Sequence, residues 1–253
     1  MAVCELIVDI IEGRNPVIEA LKAGRPISKI LLDKSIRAHG SADQIIRLAK
    51  IKAIEIEYVD KQVMDRQSST GSYQGVMALA AAKKYIGLHD LPAISEAKKE
   101  PALYLVLDGI EDPHNLGAIL RTADATGVHG VVTRERRAVG ITPAVAKASA
   151  GAVEYVPVAM VSNIAQAIET LKKNGVWAVG IDMAGETNYS SVDFRLPTAI
   201  VIGGEGKGLS DLVRKRCDIT ASIPMKGHIS SLNASVAAAV VMYEALRQRT
   251  PQQ

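Results

Sequence analysis

From Ala102 onward the chain alternates between short apolar runs and helical patterns. Near-continuous apolar runs are typical of strands buried on both faces of a parallel sheet. Six such runs are present: ALYLVLD (102–108), GVVT (130–133), YVPVAM (155–160), VWAVGI (176–181), AIVIGG (199–204) and ITASIP (219–224). Helical patterns lie between them at 116–126, 142–150, 163–174 and 209–216. This alternation predicts an α/β domain built on a parallel sheet.

The chain before this region has a second, smaller α/β pattern. Its helical patterns lie at 15–23 and 41–53, and its strand patterns at 28–32, 54–59 and 76–81. A polar stretch, RQSSTGSYQG, interrupts it at 66–75. Residues 84–100 carry charges, a glycine and a proline without a sustained period, which is typical of a linker with one short helix. We therefore predict domains at 1–83 and 101–253, joined by a linker at 84–100.

The composition narrows the class of protein. Hydrophobic residues make up 48% of the chain, enough for ordinary globular cores. Cys4 and Cys217 form neither a disulfide framework nor a Cys/His cluster at metal-ligand spacing, so no metal is expected. No stretch has the form of a signal peptide, and no apolar run approaches the ~18–20 residues of a membrane span. We expect a cytoplasmic protein without a membrane partner.

The positive charge is concentrated at the N-terminus. Residues 1–84 hold 13 Lys and Arg against 10 Asp and Glu, whereas residues 85–253 hold 17 of each. This excess is compatible with a phosphate-rich partner but too small to identify one. Aromatic residues make up only 4% of the chain. Any nucleic acid would therefore be recognised mainly through shape, phosphate and polar contacts rather than base stacking.

Polar clusters follow three of the predicted strands. They are DGIEDPHNLGAILR (108–121), GGEGKGLS (203–210) and IPMKGHISSLNAS (223–235). Ligands of open parallel sheets bind beyond the carboxyl ends of the strands, so these clusters are candidate site residues. The third cluster precedes an Ala/Val-rich helical pattern whose first turn would suit an anion or a polar ligand edge. The structural alternatives are that Ser231 or Asn233 only caps that helix and that Arg121 is merely solvated.

The glycine-rich second cluster matches neither common nucleotide motif. A Walker loop needs Lys followed by Ser or Thr, whereas Lys207 precedes Gly208. The spacing and position also differ from a dinucleotide fingerprint, which excludes ATPase and NAD-dehydrogenase functions. Such dense glycines still allow backbone to approach a ligand closely. Glu205 is interpreted as a partner for an arginine. Arg121 is the candidate, since it is predicted to lie at nearly the same angular position as Asn115 on one helix.

The three clusters closely resemble the motifs of the SPOUT-class TrmH-type RNA 2'-O-ribose methyltransferases. The matching stretches are NLGAILRTADATG, IVIGGEGKGLS and IPMKGHISSLNASVAAAVVMYEALR, and the resemblance covers roughly residues 102–249. GRNPVIEAL and SSTGSYQG look like the substrate-binding domain of the RlmB-type branch, which acts on a guanosine of 23S ribosomal RNA. The small departures, Ala234 and the AAAV run after it, concern packing more than chemistry.

The resemblance implies a C-terminal α/β domain with a parallel sheet and a deep trefoil knot, which is a rare exception to the usual topology rules. It also implies a small ribosomal-protein-like N-terminal domain that binds RNA. S-adenosylmethionine is the implied cofactor. The implied partners are 23S rRNA or a ribosome precursor and a second copy of the chain, with no DNA. A C-terminal helix that is apolar on most faces agrees with a homodimer interface, because it predicts burial all round.

Site residues follow from the matching positions. The catalytic candidates are Asn115, Arg121, Glu205, Ser231 and Asn233. The cofactor-binding candidates are Gly203, Gly204, Ile223, Met225 and Leu232. Candidate RNA contacts are Arg14, Asn15, Arg66, Ser69, Tyr73 and Lys207, with Tyr73 as the candidate for stacking on a base. The alternative for these RNA contacts is a solvated turn and ordinary surface charge.

Arg121 carries the central question of mechanism. The family assigns it the activation of the ribose 2'-hydroxyl, yet a guanidinium is effectively never deprotonated in proteins. Our hypothesis is that Arg121 binds the adjacent phosphate and stabilises the developing alkoxide, while a phosphate oxygen or water accepts the proton. Glu205 would then pair with Arg121, and Asn233 would hold the substrate or the glycine loop.

Other functions stay open at this stage. Within the same class, the substrate could be tRNA or a ribosomal site that confers antibiotic resistance. The N-terminal domain argues against the simplest tRNA enzymes. From another class, the chain could be a catalytically silent RNA-binding or ribosome-assembly factor, although all five catalytic candidates are present.

Overall fold

The computed structural model describes residues 8–37, 39–206 and 208–251. The strands are β1 (Val8–Glu12), β2 (Ile27–Asp33), β3 (Glu55–Val59), β4 (Val76–Ala81), β5 (Leu103–Asp108), β6 (Gly130–Arg134), β7 (Val158–Val161), β8 (Trp177–Ile181), β9 (Thr187–Asn188), β10 (Thr198–Gly203) and β11 (Ile219–Ser222). The helices are α1 (Arg14–Lys22), α2 (Ser41–Ile51), α3 (Lys61–Gln67), α4 (Leu91–Lys98), α5 (Pro113–Ala125), α6 (Pro143–Ala148), α7 (Ile164–Lys173), α8 (Asp211–Arg216) and α9 (Ala234–Arg249).

The described residues divide into two compact units whose boundaries differ from the predicted domains. The first unit holds the residues up to Lys84 and also Ile141–Tyr155, while the second holds Tyr85–Gly140 and the chain from Val156 onward. Most of the predicted linker, 84–100, also belongs to the second unit. It contains α4, and Leu91 is fully buried in the second unit's core. The charges around this short helix hide its apolar positions in the sequence.

The first unit is built on a four-stranded mixed sheet in the order β1-β4-β2-β3. β4 pairs antiparallel with β1 and β2, while β2 and β3 are parallel. α1 and α2 pack together and share a core with the sheet, in which Val17, Leu21, Ile30, Leu32 and Ile45 are fully or almost fully buried. α3 contributes to a smaller cluster that contains Leu31, Val59, Met64, Tyr73 and Met77.

The segment from Ile141 to Tyr155 is held within the first unit by a buried ion cluster. The Arg25 guanidinium contacts a carboxylate oxygen of Asp9 at 2.5 Å and one of Glu154 at 2.7 Å. Lys83 Nζ donates to the Glu154 backbone carbonyl at 2.8 Å. Because removing one partner of a buried ion pair leaves an uncompensated charge, the cluster ties this segment firmly to the unit.

The second unit is a seven-stranded sheet in the order β7-β6-β5-β10-β8-β11-β9. Every pair in it is parallel, which confirms the predicted α/β fold with a parallel sheet. α7 and α8 pack on each other, and α7 also contacts β5, β6 and β8. α9 packs on α5 and on β10. The trefoil knot that the resemblance implies stays a prediction.

Two helix starts place site residues. α5 begins at Pro113, earlier than the predicted 116, and Asp112 caps it by accepting a 2.9 Å hydrogen bond from the His114 amide. Proline suits this position because its missing N–H would have had no partner there. α9 begins after Asn233. In the single chain Val236 and Tyr243 of α9 are exposed, so burial of α9 on all sides requires a dimer and stays a prediction.

No helix in the described part of the chain is both long and apolar enough to cross a membrane. Within residues 8–37, 39–206 and 208–251, no group of three or more His, Cys, Asp or Glu side chains is placed to hold a metal ion.

Candidate active site

A cavity of about 450 Å³ lies at the carboxyl ends of β8, β10 and β11, beside the start of α9. This is the edge of the sheet at which the polar clusters predict a ligand site. Of the predicted site residues, the cavity is lined by Gly203, Gly204, Glu205, Ile223, Met225, Ser231, Leu232 and Asn233. The second and third sequence clusters therefore meet around one cavity, whose size is typical of small-molecule sites.

Gly203 and Gly204 are required by contacts between backbone segments. A Cβ atom on Gly203 would lie 2.0 Å from the carbonyl carbon of Gly208. One on Gly204 would lie 2.2 Å from the Gly109 carbonyl oxygen. The loop also closes on itself, since the Gly208 amide donates to the Gly204 carbonyl at 3.2 Å. The glycines that were expected to admit a ligand thus also admit neighbouring backbone, and any side chain here would open the loop.

Asp108 fixes the far end of this loop. One oxygen of its buried carboxylate accepts hydrogen bonds from the Ser210 amide at 2.9 Å and the Ser210 hydroxyl at 2.6 Å. Ser210 immediately precedes α8, so the end of β5 is joined to the segment that follows the glycine loop. Asp108 is not among the predicted site residues, although an acidic residue at the end of an apolar strand is a signal for such a role.

Asn115 and Glu205 connect the first and second clusters. Asn115 is buried in the first turn of α5, and its Nδ2 donates a 2.5 Å hydrogen bond to Glu205 Oε1. Glu205 is exposed at the cavity rim. The hydrogen bond to a fixed amide therefore orients a carboxylate that would otherwise move freely. A charge-assisted hydrogen bond of this kind is among the stronger polar contacts in proteins.

Arg121 points away from Asn115, contrary to prediction. Six residues on an α-helix turn through about 600°, which leaves the two side chains roughly 120° apart. Accordingly Asn115 is buried and Arg121 is exposed. The predicted Arg121–Glu205 pair is not formed, because Asn115 holds the Glu205 carboxylate, and within the described residues Arg121 has no ion pair. Its guanidinium is therefore available to a ligand from outside the chain.

Asn233 caps α9, as one interpretation of the sequence predicts. Its Oδ1 accepts hydrogen bonds from the Ser235 amide at 2.9 Å, the Ser235 hydroxyl at 2.6 Å and the Val236 amide at 3.4 Å. These contacts leave its amide nitrogen without a partner in the described chain. Ser231 is exposed beside it, and both residues line the cavity. Capping and a role in the site are thus compatible for Asn233.

Asp182 and Arg214 are cavity residues that the sequence interpretation missed. Asp182 follows β8, and its side chain is only 7% exposed. Its Oδ2 accepts a 2.8 Å hydrogen bond from Arg214, and its Oδ1 accepts the Ala184 amide at 3.0 Å. The Arg214 Nε is buried without a hydrogen-bond partner in the described part of the chain. The signal was present, because Asp182 also follows an apolar strand.

The cavity fits the S-adenosylmethionine that the resemblance implies. Ile202, Ile223 and Leu232 supply apolar surface for an adenine ring, and the orphaned Arg214 Nε and the Asp182 carboxylate offer polar partners. When bound, the cofactor would supply an electrophilic methyl group. Glu205, Ser231 and Asn233 stand at the wall where a substrate hydroxyl could be oriented.

In the first unit, the residues predicted to contact RNA differ in exposure and in their hydrogen bonds. Arg14 is half-buried, while Asn15 and Arg66 are exposed. The backbone amide and hydroxyl of Ser69 both donate to Glu12. Lys207, in the glycine loop of the second unit, lies outside the described residues.

Tyr73 is not placed to stack on a base. It is 7% exposed and packs against Met64 and Met77. Its hydroxyl donates to Asp65 Oδ1 at 2.5 Å, and this hydrogen bond together with burial raises the pKa of Tyr73 to about 12. The expectation of an exposed aromatic is therefore wrong, because the ring fills an apolar gap beneath α3.

Comparisons with known proteins agree with this geometry. Residues 102–243 match the SpoU rRNA Methylase family, and residues 10–86 match the domain described as RNA 2'-O ribose methyltransferase substrate binding. YacO of Bacillus subtilis, named for the TrmH family of tRNA/rRNA methyltransferases, is 48% identical over 243 residues, 96% of this chain and 97% of YacO.

Two solved structures are similar to this fold. The SpoU methyltransferase AviRb from Streptomyces viridochromogenes, in complex with the cofactor AdoMet, has a TM-score of 0.80 at 29% identity, covering 95% of this chain and 89% of that one. The TrmH/SpoU tRNA modifying enzyme of A. aeolicus has a TM-score of 0.55 at 32% identity. It covers 64% of this chain and 84% of its own, so about a third of this chain has no counterpart in it.

Proposed function

Because the chain belongs to the SpoU rRNA methylase family, we propose that it methylates the ribose 2'-hydroxyl of a guanosine in 23S ribosomal RNA. The methyl donor is S-adenosylmethionine. The observation that carries the proposal is the cavity at the carboxyl ends of β8, β10 and β11. There, residues of two sequence clusters line one wall, and Asn115 of the first cluster holds Glu205 by a hydrogen bond.

The chain's own residues would act by orientation and electrostatics. Asn115 fixes Glu205 at the cavity rim, and the amide nitrogen of Asn233, which has no partner among the described residues, offers a donor to the substrate. Arg121, exposed and without an ion pair in the described chain, would bind the phosphate next to the reacting ribose and stabilise the developing alkoxide. The hydroxyl proton then leaves to a phosphate oxygen or to water, because the guanidinium stays protonated.

Two observations favour ribosomal RNA over tRNA as the substrate. The first is the match of residues 10–86 to a separate substrate-binding domain. The second is that the A. aeolicus tRNA modifying enzyme covers only 64% of this chain. A substrate that needs the additional domain would be larger or more folded than one that the smaller enzyme accepts.

The test uses labelled S-adenosylmethionine and RNA from a strain that lacks this gene. Ribosomal subunits, deproteinised 23S rRNA, 16S rRNA and total tRNA are incubated separately with the protein, and 2'-O-methylated nucleotides are mapped in any labelled RNA. We expect label in 23S rRNA at one guanosine. Label confined to tRNA would show that tRNA, not 23S rRNA, is the substrate. Tight RNA binding without label in any fraction would favour a catalytically silent assembly factor.

We also infer that the protein acts as a homodimer. Ile229, Leu232, Val236 and Tyr243 are exposed apolar side chains on α9 and the segment that precedes it. Val236 and Tyr243 are seven residues apart, so they lie on the same face of the helix. Several exposed apolar side chains on one helix and the segment before it are typical of a protein interface, and a twofold pair of α9 helices would cover them.

A further inference from the structure

A buried carboxylate lies under the polar loop of the first unit, which we define as residues 68–72. Glu12, the last residue of β1, is 0% exposed. One of its oxygens accepts hydrogen bonds from the Ser69 amide at 2.6 Å and the Ser69 hydroxyl at 2.9 Å. The other accepts the Ser68 hydroxyl at 2.7 Å and the Thr70 hydroxyl. The Thr70 amide lies 3.3 Å from both oxygens.

These hydrogen bonds keep the carboxylate ionised despite its burial. Burial of Glu12 raises its pKa, but the hydrogen bonds from Thr70, Ser68 and Ser69 together outweigh that effect and lower the pKa below its usual value. The charged form is the one that accepts from the donors of Ser68, Ser69 and Thr70 together. Glu12 is thus a fully satisfied buried charge rather than an unpaired one.

Glu12 is the main link between the polar loop and the rest of the unit. No residue from Asp65 to Ser72 is buried. Two further hydrogen bonds join only residues of the loop: the Gly71 amide donates to the Ser68 hydroxyl, and the Ser72 amide donates to the Thr70 hydroxyl. An exposed segment without an apolar side chain in the core would ordinarily remain mobile, because nothing offsets the entropy lost on ordering it.

Two cations flank the polar loop. Arg66 lies in the last turn of α3, just before the loop. Arg14 contacts the chain just after the loop, because its Nε donates to the Gln74 carbonyl at 3.2 Å. The Arg14 amide also donates to Gln74 Oε1 at 3.2 Å. Neither guanidinium forms an ion pair within the part of the chain that the structure describes. Both charges therefore remain available to phosphate groups.

We propose that Glu12 is a positioning residue for RNA binding, which holds the polar loop in one conformation between Arg14 and Arg66. This inference rests on the proposed function, because it presumes that the first unit binds the RNA substrate. A loop that is ordered before binding loses less entropy when RNA docks on it. A buried carboxylate achieves this order without placing any apolar group on a surface that faces a polar ligand.

The test is the nearly isosteric substitution Glu12→Gln. The amide nitrogen of glutamine cannot accept hydrogen bonds, so two of the five loop groups that donate to Glu12 lose their acceptor. We expect faster hydrogen–deuterium exchange at residues 68–72 and a KM for RNA about tenfold higher. The kcat and the KM for S-adenosylmethionine should stay within twofold of wild type. The direction of the change in the KM for RNA is informative. Removing a negative charge would by electrostatics alone strengthen RNA binding and lower this KM, whereas loss of the loop's order raises it.

Glu57→Gln is the matched control. Glu57 lies on β3 with an exposed side chain that pairs with Lys29, so this variant makes the same change of charge away from the polar loop. Its KM for RNA should equal or fall below the wild-type value. If Glu12→Gln fails to fold, Thr70→Val removes one hydroxyl donor without changing charge and should raise the KM for RNA in the same direction.

The outcomes separate the two proposals. Active wild-type protein with an unchanged or lower KM for RNA in Glu12→Gln overturns the positioning role alone. So does a raised KM for RNA without faster exchange in the polar loop. A wild-type protein that methylates no RNA overturns the proposed function, and this inference with it.

Discussion

Asn115 and Glu205 lie 90 positions apart in the chain, yet they are joined by a 2.5 Å hydrogen bond at the rim of the cavity. One residue opens α5 and the other belongs to the glycine loop after β10. Their contact is possible because β5 and β10 are neighbours in the sheet, in register from Leu103 and Thr198 to their carboxyl ends. The sheet thus converts two distant sequence clusters into one local arrangement.

Replacing Asn115 by Asp tests this contact. The variant loses the donor and places a second carboxylate against Glu205, so the loop should shift. A lost hydrogen bond to a charged group is worth about 1.5–3 kcal/mol, so kcat should fall about tenfold to a hundredfold. The Kd for S-adenosylhomocysteine, measured by calorimetry, should change less than threefold. Glu205→Gln keeps an acceptor for Asn115 and should be milder, whereas a wild-type kcat for Asn115→Asp would contradict the assignment.

Arg121→Ala should separate catalysis from stability. The side chain is exposed and has no ion pair within the described residues, so the free energy of unfolding should change by no more than about 0.5 kcal/mol. Loss of a group that stabilises transition-state charge costs roughly 100- to 1000-fold in kcat. Single-turnover methyl transfer and thermal melting would measure both. Lys173→Ala, which removes an exposed cation from α7, serves as the control. Near-normal methyl transfer by Arg121→Ala would exclude the role proposed for it.

Asp182→Asn should weaken cofactor binding. The amide keeps the side chain's shape but removes the negative charge that pairs with Arg214 at 2.8 Å in the cavity wall. We expect the Kd for S-adenosylhomocysteine to rise about tenfold, which corresponds to about 1.4 kcal/mol. Asp211→Asn makes the same change on the exposed start of α8 and should leave the Kd unaltered. Equal affinities for the two variants would remove Asp182 from the cofactor site.

His129 predicts a dependence of stability on pH. It is 1% exposed, accepts the Leu103 amide at Nδ1 at 3.0 Å, and has Nε2 3.1 Å from Glu100. Burial, followed by the nearby Lys98 charge, lowers the pKa of His129 below the usual 6.5, an effect that Glu100 only partly opposes. As pH falls, His129 therefore binds a proton at a higher pH in the unfolded chain than in the folded one.

The stability that neutral His129 contributes is complete above about pH 6.5 and is lost as pH falls toward the folded-state pKa. Because one proton is involved, the free energy of unfolding should change by no more than about 1.4 kcal/mol per pH unit from this group. Urea unfolding between pH 8 and pH 5, followed by the fluorescence of the single tryptophan, Trp177, would measure it. In His129→Asn, whose Oδ1 can still accept the Leu103 amide, this part of the pH dependence should disappear. An identical pH profile for variant and wild type would contradict the prediction.

Tyr243→Glu tests the inferred homodimer. Tyr243 is 54% exposed on the apolar face of α9, so a buried charge there would oppose association. Loss of one central interface side chain is worth about 2 kcal/mol, so the dissociation constant should rise about thirtyfold. Sedimentation equilibrium would measure it. Ile51→Glu, at an exposed apolar position of the first unit, is the control, and a wild-type monomer at micromolar concentration would refute the dimer.

The sheet of the second unit could be predicted from the sequence because its strands are buried on both faces. Such strands appear as uninterrupted apolar runs, and polar residues at their ends mark the ligand edge. The cap formed by Asn233 could be predicted as well, since its local pattern is sufficient to specify it. The role of Gly203 and Gly204 could not be predicted, because Gly208 and Gly109 approach them only once the chain has folded.

Side-chain direction and long-range packing account for what the sequence did not predict. Arg121 and Asn115 share a helix, but which face is buried depends on the sheet behind it. Tyr73 is polar enough for a surface and apolar enough for a core, and only the gap beneath α3 decides between them. The return of residues 141–155 to the first unit depends on Arg25, whose partners lie both before and far after it in the chain.

That return limits how the protein can be divided. A gene fragment that stops at Lys84 would encode all four strands of the first sheet and omit Glu154. Arg25 and Lys83 would then lose the carboxylate between them, and β1 would lose the packing of α6. The family match at 10–86 is contiguous, yet the unit also contains the Ile141–Tyr155 segment, so we expect a fragment limited to 10–86 to be less stable than the complete unit.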